Sequence, residues 1–328
     1  MKGSKLQSFR LPAAVFALVV MLLTIVQVKV DPPMLLLERF IPGGGWAELI
    51  LIGIYGAVVS YHMQDPLKVH AWRKYTWFSF SLIFLAQLML GLLADARFLM
   101  SGDLHLPVPM MILAGPIYRG HPSIMSLLFV STVVISGPAW CSHLCYFGGL
   151  DSLAATKKRR PVPMHNKWAL KSTVLLLVIA SAIFMRWLQI PVGTSTLLAA
   201  GFGVVGLGVI LFSSRATGNM VHCTAYCPLG TVVNLTRFVN PLRLTIDRAS
   251  CTECMACFRS CRYDALRPSH IRKAKPGLTC TLCGDCISTC HENSIRYRFP
   301  FLSAGSARLL YLCVTVTLHA TTLALARI

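Results

Sequence analysis

Hydrophobic residues run for whole bilayer lengths along this chain, rather than alternating with period two or marking one helical stripe. The runs fall at about 11–30, 46–63, 76–94, 122–140, 168–189 and 196–213, with a weaker one at about 309–326. Roughly 20 apolar residues in a helix cross the hydrocarbon core, so the pattern predicts six membrane spans and a weaker seventh. Thr315, Thr317, His319, Thr321 and Thr322 dilute that last run. The first run follows Lys2, Lys5 and Arg10, as a signal peptide would. It is longer than a usual signal core and meets Asp31-Pro32-Pro33 rather than a small-x-small cleavage site, so it reads as a retained span. Lys171 and Arg186 lie in the fifth run, close enough to its ends to snorkel.

The polar segments between the runs set an orientation. The N-terminus, 65–74 (Lys68, Arg73, Lys74) and 141–167 (Lys157, Lys158, Arg159, Arg160, Lys167) are basic. In the alternate loops, 31–45 and 95–121, Arg39, Arg97 and Arg119 are offset by Asp31, Glu38, Asp95 and Asp103. Cytoplasmic loops carry the excess of Lys and Arg, so the N-terminus, 141–167 and 214–307 are expected in the cytoplasm. The chain is 55% hydrophobic and 13% charged, which excludes a single soluble core for its 328 residues. Its net charge of +19 is then loop charge at a membrane surface, not a nucleic-acid footprint.

Thirteen cysteines change the picture further. "CTECMACFRSC" carries Cys251, Cys254, Cys257 and Cys261, and "CTLCGDCISTC" carries Cys280, Cys283, Cys286 and Cys290. Both copies read C-x2-C-x2-C-x3-C, and each cysteine recurs 29 residues later. In this spacing three thiolates on a tight loop cap three irons of a cubane, and the fourth iron takes a cysteine from the other half. One [4Fe–4S] cluster is therefore expected on Cys251, Cys254, Cys257 and Cys290, the other on Cys280, Cys283, Cys286 and Cys261. Zinc ribbons use paired C-x2-C knuckles instead, and thiolate ligation requires a reducing compartment. Arg262 and His291 stand where a proline often follows the fourth cysteine, and positive charge there favours a reduced cluster.

Two further pairs end apolar runs on the same side. Cys141-x3-Cys145-x2-Gly148 matches Cys223-x3-Cys227-x2-Gly230. On a helix, residues four apart share a face, so each pair could present two thiolates together. The repeat suggests two related halves in the leading six helices. The four thiols could hold a third iron–sulfur centre or a copper ion, or cycle between dithiol and disulfide. Packing by small buried cysteines is the bland alternative, and it suits the isolated Cys313. His143 and His222 touch these motifs and could tune or ligate a metal there.

"WCSHLC", "HCTAYCPLG" and the doubled C-x2-C-x2-C-x3-C pattern resemble the membrane polyferredoxins of the NapH, NosR C-terminal and CcoG type. The resemblance covers roughly residues 120–300. That family's second motif reads C-x3-C-P, as Cys223, Cys227 and Pro228 do, whereas Tyr146 replaces the proline of the first. The resemblance implies electron transfer in a bacterial or archaeal cytoplasmic (inner) membrane. It further implies a link between quinol or a soluble cytoplasmic donor and a partner redox subunit, or support for metalloenzyme maturation.

The fold class expected is an all-α polytopic membrane protein of six to seven transmembrane helices with a small α+β 2[4Fe–4S] ferredoxin-like cytoplasmic domain. Residues 1–240 would form the transmembrane domain, 241–300 the ferredoxin-like domain and 301–328 the C-terminal apolar helix. The function expected is relay of single electrons, as a subunit of an oxidoreductase system rather than a stand-alone enzyme, without nucleic acid. A copper-reducing maturation factor and an iron–sulfur membrane sensor are the rival readings. Quinone is a candidate cofactor, with His105, His121 and Tyr118 in the apolar outer loop as candidate contacts, against the plainer reading of surface histidines. The cysteine spacings identify neither donor nor acceptor, nor the direction of flow.

Overall fold

The computed structural model describes residues 9–99 and 108–325. Long helices come first: α1 (Arg10–Lys29), α2 (Gly44–Met63) and α3 (Val69–Leu93). Next are α4 (Met111–Arg119), α5 (Ile124–Ser136), α6 (Tyr146–Ala155), α7 (Lys167–Trp187), α8 (Val192–Gly208) and α9 (Pro228–Leu235). The strands β1 (Arg243–Ile246) and β2 (Ile295–Arg298) bracket the short helices α10 (Ala256–Ser260) and α11 (Asp285–Ser288), and α12 (Ala304–Leu325) follows. Among the described residues, seven helical stretches are long and apolar enough to span a bilayer, including the weak last run as Ala304–Leu325.

The chain divides into two compact units, Met1–His105 with Phe301–Ile328, and Leu106–Pro300. In the first, α1, α2 and α12 pack on one another. Leu11, Val15, Val19 and Leu23 recur every four residues and form the buried stripe of α1. Association in lipid gains little from hydrophobicity and depends on close approach, which small residues permit. A Cβ at Gly53 would sit 2.9 Å from Phe16 Cδ2, and one at Gly56 3.2 Å from Val15 Cγ1. Tyr55 Oη and His319 Nε2 are 2.9 Å apart within this unit, so His319 is committed to a hydrogen bond between helices. α3 starts earlier than its apolar run and takes Arg73 into the helix, where its guanidinium lies 5.1 Å from the Trp77 ring centre.

In the second unit the fourth stretch, Met125–Ala155, is long but interrupted. Gly137 adopts φ +56° ahead of Pro138, the helix tightens into a 3-10 turn, and a single turn over Trp140–His143 precedes α6. The sixth stretch, Val192–Thr217, loosens into a π-helical turn at Val209–Ser214, and a second such turn follows it at His222–Tyr226. β1 and β2 pair antiparallel, Leu244 opposite Tyr297 and Ile246 opposite Ile295. These four side chains are buried, and Tyr297 Oη donates to Leu282 O at 2.7 Å.

Candidate metal centres

The duplication at 251–290 is a duplication of backbone as well as of sequence. Left-handed φ angles occur at Glu253 and Leu282, Met255 and Gly284, and Asp264 and Asn293, each pair 29 residues apart. Non-glycine residues avoid this region unless the surroundings enforce it, and here it turns the chain tightly between the first three cysteines of each copy and just after the fourth. α10 and α11 follow these turns in the two copies. Ser260 and Thr289, also 29 apart, meet with hydroxyls 3.1 Å from each other. Each hydroxyl also lies 3.0 Å from the carbonyl three residues earlier, on Cys257 and Cys286. The fourth cysteine of each copy accepts a backbone N–H at 3.3 Å, Cys261 from Ala265 and Cys290 from Ser294.

One cavity is lined by Cys261 of the first copy together with Cys280, Cys283 and Cys286 of the second. Cys257 lies in the electrostatic field of Cys290 and Cys251, on the other side of the same exchange. Burial pushes Cys261 up to about 12 and Cys257 up to about 11, so these thiols ionise readily only against a metal's positive charge. Among the described residues no three His, Cys, Asp or Glu side chains are already gathered at ion-holding distance. The fit to two cubanes therefore rests on donor identity, the shared cavity and the symmetric turns. Cys254 is exposed, at the solvent side of the first copy.

The C-x3-C pairs do not lie on continuous helices, contrary to the expectation of one helical face. Cys141 and Cys223 sit on short incoming turns, while Cys145 and Cys227 are the N-caps of α6 and α9. Both caps are extended, with φ/ψ of −87°/115° at Cys145 and −73°/118° at Cys227. The backbone N–H groups of Phe147 and Gly148 face the Cys145 sulfur, and those of Leu229 and Gly230 face that of Cys227. Gly230 donates to Cys227 Sγ at 3.5 Å. The first residue of a helix has no intrahelical use for its N–H, so Pro228 and Tyr146 serve equally at that position.

The four cysteines are all buried and form one neighbourhood. Cys141 and Cys227 belong to one core cluster with Phe129, Val133, Leu229 and Val233. Cys223 lies in the field of Cys145, Cys141 and Cys227. Burial pushes Cys227 up, while the Gly230 N–H and the Lys171 ammonium draw it back. Cys223 rises well above its ordinary value through burial and then through the adjacent Asp151 carboxylate.

Two charged residues that sequence reasoning did not place here, Lys171 and Asp151, meet these cysteines, and a third, Lys167, lies near Cys261. Lys171 does not snorkel: it is 1% exposed, and its Nζ donates to Cys223 O at 3.2 Å. Asp151, with no exposed surface, accepts the Cys223 N–H at 2.9 Å. Lys167, one turn before Lys171, pairs with Asp264 at 3.0 Å, beside the cavity of Cys261. The sequence signal was available, since charges inside an apolar run face the protein interior more often than lipid. Further bonds join the C-x3-C region to the ferredoxin-like loops. Ser142 Oγ donates to Thr281 O at 3.0 Å, Met220 N to Arg262 O at 2.9 Å, and Arg262 Nη1 to Gly218 O at 2.8 Å.

Arg262, His143 and His222 adjoin these centres, while Tyr118 and His121 have other surroundings. Arg262, expected to act on a cluster through its charge, lines the cavity of Cys261 and lies in that thiol's electrostatic field, while its guanidinium also donates to the carbonyls of Lys158, Arg159 and Gly218. His143 is buried, with Nδ1 3.0 Å from Ser142 Oγ. His222 stacks on Phe147 with ring centres 5.1 Å apart. His105 lies outside the described residues. Tyr118 Oη donates to Ile190 O at 2.6 Å, and His121 is exposed.

A polytopic helical chain with clustered cysteines of this kind defines a class, membrane proteins with iron–sulfur ligands. The family described as a 4Fe-4S binding domain matches residues 121–163 and 199–243. Each matched segment contains one C-x3-C pair, while 251–290 lies outside both. The ferredoxin-type protein NapH of Haemophilus influenzae is 23% identical over 197 residues, 55% of this chain and 69% of that protein. An uncharacterized protein of Methanocaldococcus jannaschii is 23% identical over 185 residues, 53% of this chain and 70% of its own length. No solved structure matches. The chain is thus similar to a 4Fe-4S binding domain over its two C-x3-C segments and to a ferredoxin-type protein over about half of its length.

Proposed function

We propose that the protein is a membrane-bound electron-transfer subunit that carries two [4Fe–4S] clusters in residues 251–290 and a further metal centre on the C-x3-C cysteines. The observation that carries this reading is the cavity lined by Cys261, Cys280, Cys283 and Cys286, three cysteines of one copy and one of the other. The ligands of the other cluster would be Cys251, Cys254, Cys257 and Cys290. The further centre would use Cys141, Cys145, Cys223 and Cys227. When bound, such clusters supply one-electron carriers whose potentials follow net charge, hydrogen bonds to sulfur and burial.

The chain's own groups suit that use. The Ala265 and Ser294 N–H groups stabilise negative charge on Cys261 and Cys290. The helix-cap N–H groups of Gly148 and Gly230 do the same at the C-x3-C pairs. The Ser142–Thr281 and Met220–Arg262 bonds hold the C-x3-C region against the cavity of Cys261. The basic loops favour placing residues 141–167 and 214–307 in the cytoplasm, within reach of a soluble acidic donor. Partner redox subunits or quinone would complete the circuit at the membrane. The 4Fe-4S family match on both C-x3-C segments favours iron–sulfur over copper for the further centre.

Iron and acid-labile sulfide in anaerobically purified protein test this reading. Two cubanes require about eight irons and eight sulfides per chain, with mutually interacting spin signals after dithionite reduction. Zinc in place of iron, without sulfide, would contradict it.

A further inference from the structure

α7 carries two buried lysines one turn apart, and their electrostatic situations differ. Lys167 donates to the Asp264 carboxylate, which Arg267 also contacts, so its charge is partly offset locally. Among the described residues Lys171 pairs with no carboxylate: its ammonium donates to Cys223 O at 3.2 Å and lies 5.8 Å from the Trp168 ring centre. Its field falls instead on Cys141, Cys227 and Cys223. A Cβ built on Gly230, beside Cys227 in the first turn of α9, would lie 3.7 Å from Lys171 Nζ, so the ammonium stands against the second C-x3-C segment. Burying an ammonium in a membrane protein is costly unless negative charge compensates it. At this place the available negative charge is that of the thiolates and of Asp151, whose carboxylate accepts the Cys223 N–H.

We infer that Lys171 is the positioning charge of the C-x3-C centre, selectively stabilising its reduced state relative to the clusters of residues 251–290. The inference rests on the reading that the four C-x3-C cysteines hold a redox metal centre. Uptake of one electron adds one negative charge to a thiolate-ligated centre, with no bond made or broken. A fixed positive charge nearby lowers the energy of that more negative state, and water-poor surroundings screen it weakly. Lys167 acts instead beside Cys261, where the Asp264 carboxylate partly offsets its charge. The two lysines thus separate the electron affinities of neighbouring centres.

The test is a dithionite redox titration of the anaerobic full-length protein in detergent, followed by electron paramagnetic resonance. Parent, Lys171→Met, Lys171→Gln and Lys171→Arg are compared, with iron measured in each. The expected result is a lower midpoint for the C-x3-C signal in Met and Gln, a near-parent midpoint in Arg, and unchanged midpoints for the other clusters. At the poise where half of the parent centre is reduced, the uncharged variants would be mostly oxidised. An unchanged midpoint in Met and Gln overturns the inference while leaving the centre itself intact. Loss of the signal in both uncharged variants also overturns it, giving Lys171 a part in assembly instead. A parent protein without any third signal overturns the reading and the inference together.

Discussion

Asp264 is the joint through which α7 meets the cysteine-rich loops of residues 251–290, and replacing it with Asn gives a measurable consequence. Its carboxylate is 2% exposed and receives Lys167 Nζ at 3.0 Å, Arg267 Nε at 3.1 Å and the Met164 N–H at 3.3 Å. Removing one member of a buried ion pair costs about 3–5 kcal/mol, because the other charge is stranded. Arg267 is a third exposed and water can take it over, while Asn keeps a neutral acceptor, so about 2–4 kcal/mol is the fitting range here. At about 1.4 kcal/mol per tenfold, local opening should rise roughly 30- to 700-fold. Hydrogen exchange reads this directly at the amides of Gly277, which donates to Ala265 O at 2.7 Å, and Met220, which donates to Arg262 O at 2.9 Å. Their protection should fall by that factor in Asp264→Asn. Amides of α1 should be unchanged. Protection at Gly277 within threefold of the parent would refute the argument.

Further outcomes follow from the same geometry. Burial alone would raise Asp264, but the Arg267 bonds and the Lys167 ammonium outweigh it and hold the carboxyl below its ordinary value. Its stabilisation is therefore present above about pH 4 and lost as pH falls through the depressed value. Acid titration of Gly277 protection should show that loss in the parent and none in Asp264→Asn. Cys290→Ser should damage the cluster of Cys251, Cys254 and Cys257 and spare that of Cys280, Cys283 and Cys286, as cluster-specific resonance spectra would report; the reverse selectivity would overturn the crossed pairing. A reporter fused after Arg160 should behave as cytoplasmic and one within 103–118 as periplasmic, while opposite labelling would invert the topology.

How much of this was legible in sequence depended on whether local chemistry or tertiary placement decides. Apolar run length located the seven long helical stretches, because bilayer thickness and backbone satisfaction leave few alternatives. The weak run around Thr315 and His319 still forms a helix, since those side chains turn inward, His319 to Tyr55. The 29-residue repeat was legible down to its symmetric turns, because ligand spacing dictates the backbone there. Two features were not legible. The C-x3-C pairs read as helical by spacing, yet Cys145 and Cys227 are caps, a choice made by the breaks at Gly137-Pro138 and before Pro228. Composition places Lys171 near a helix end, but only packing shows that it faces Cys223 and not the headgroups.

The central claim is that Cys141, Cys145, Cys223 and Cys227 hold one redox metal centre beside two ferredoxin-like clusters. The most direct measurement compares metal content and resonance spectra of the parent with Cys141→Ser/Cys145→Ser and Cys223→Ser/Cys227→Ser proteins, all purified anaerobically. Either pair replacement should abolish the same signal and remove the same metal, iron for a cluster or copper for a copper site, while about eight irons of the two cubanes remain. Parent protein with no metal beyond those eight irons, and identical spectra in both variants, would contradict the account.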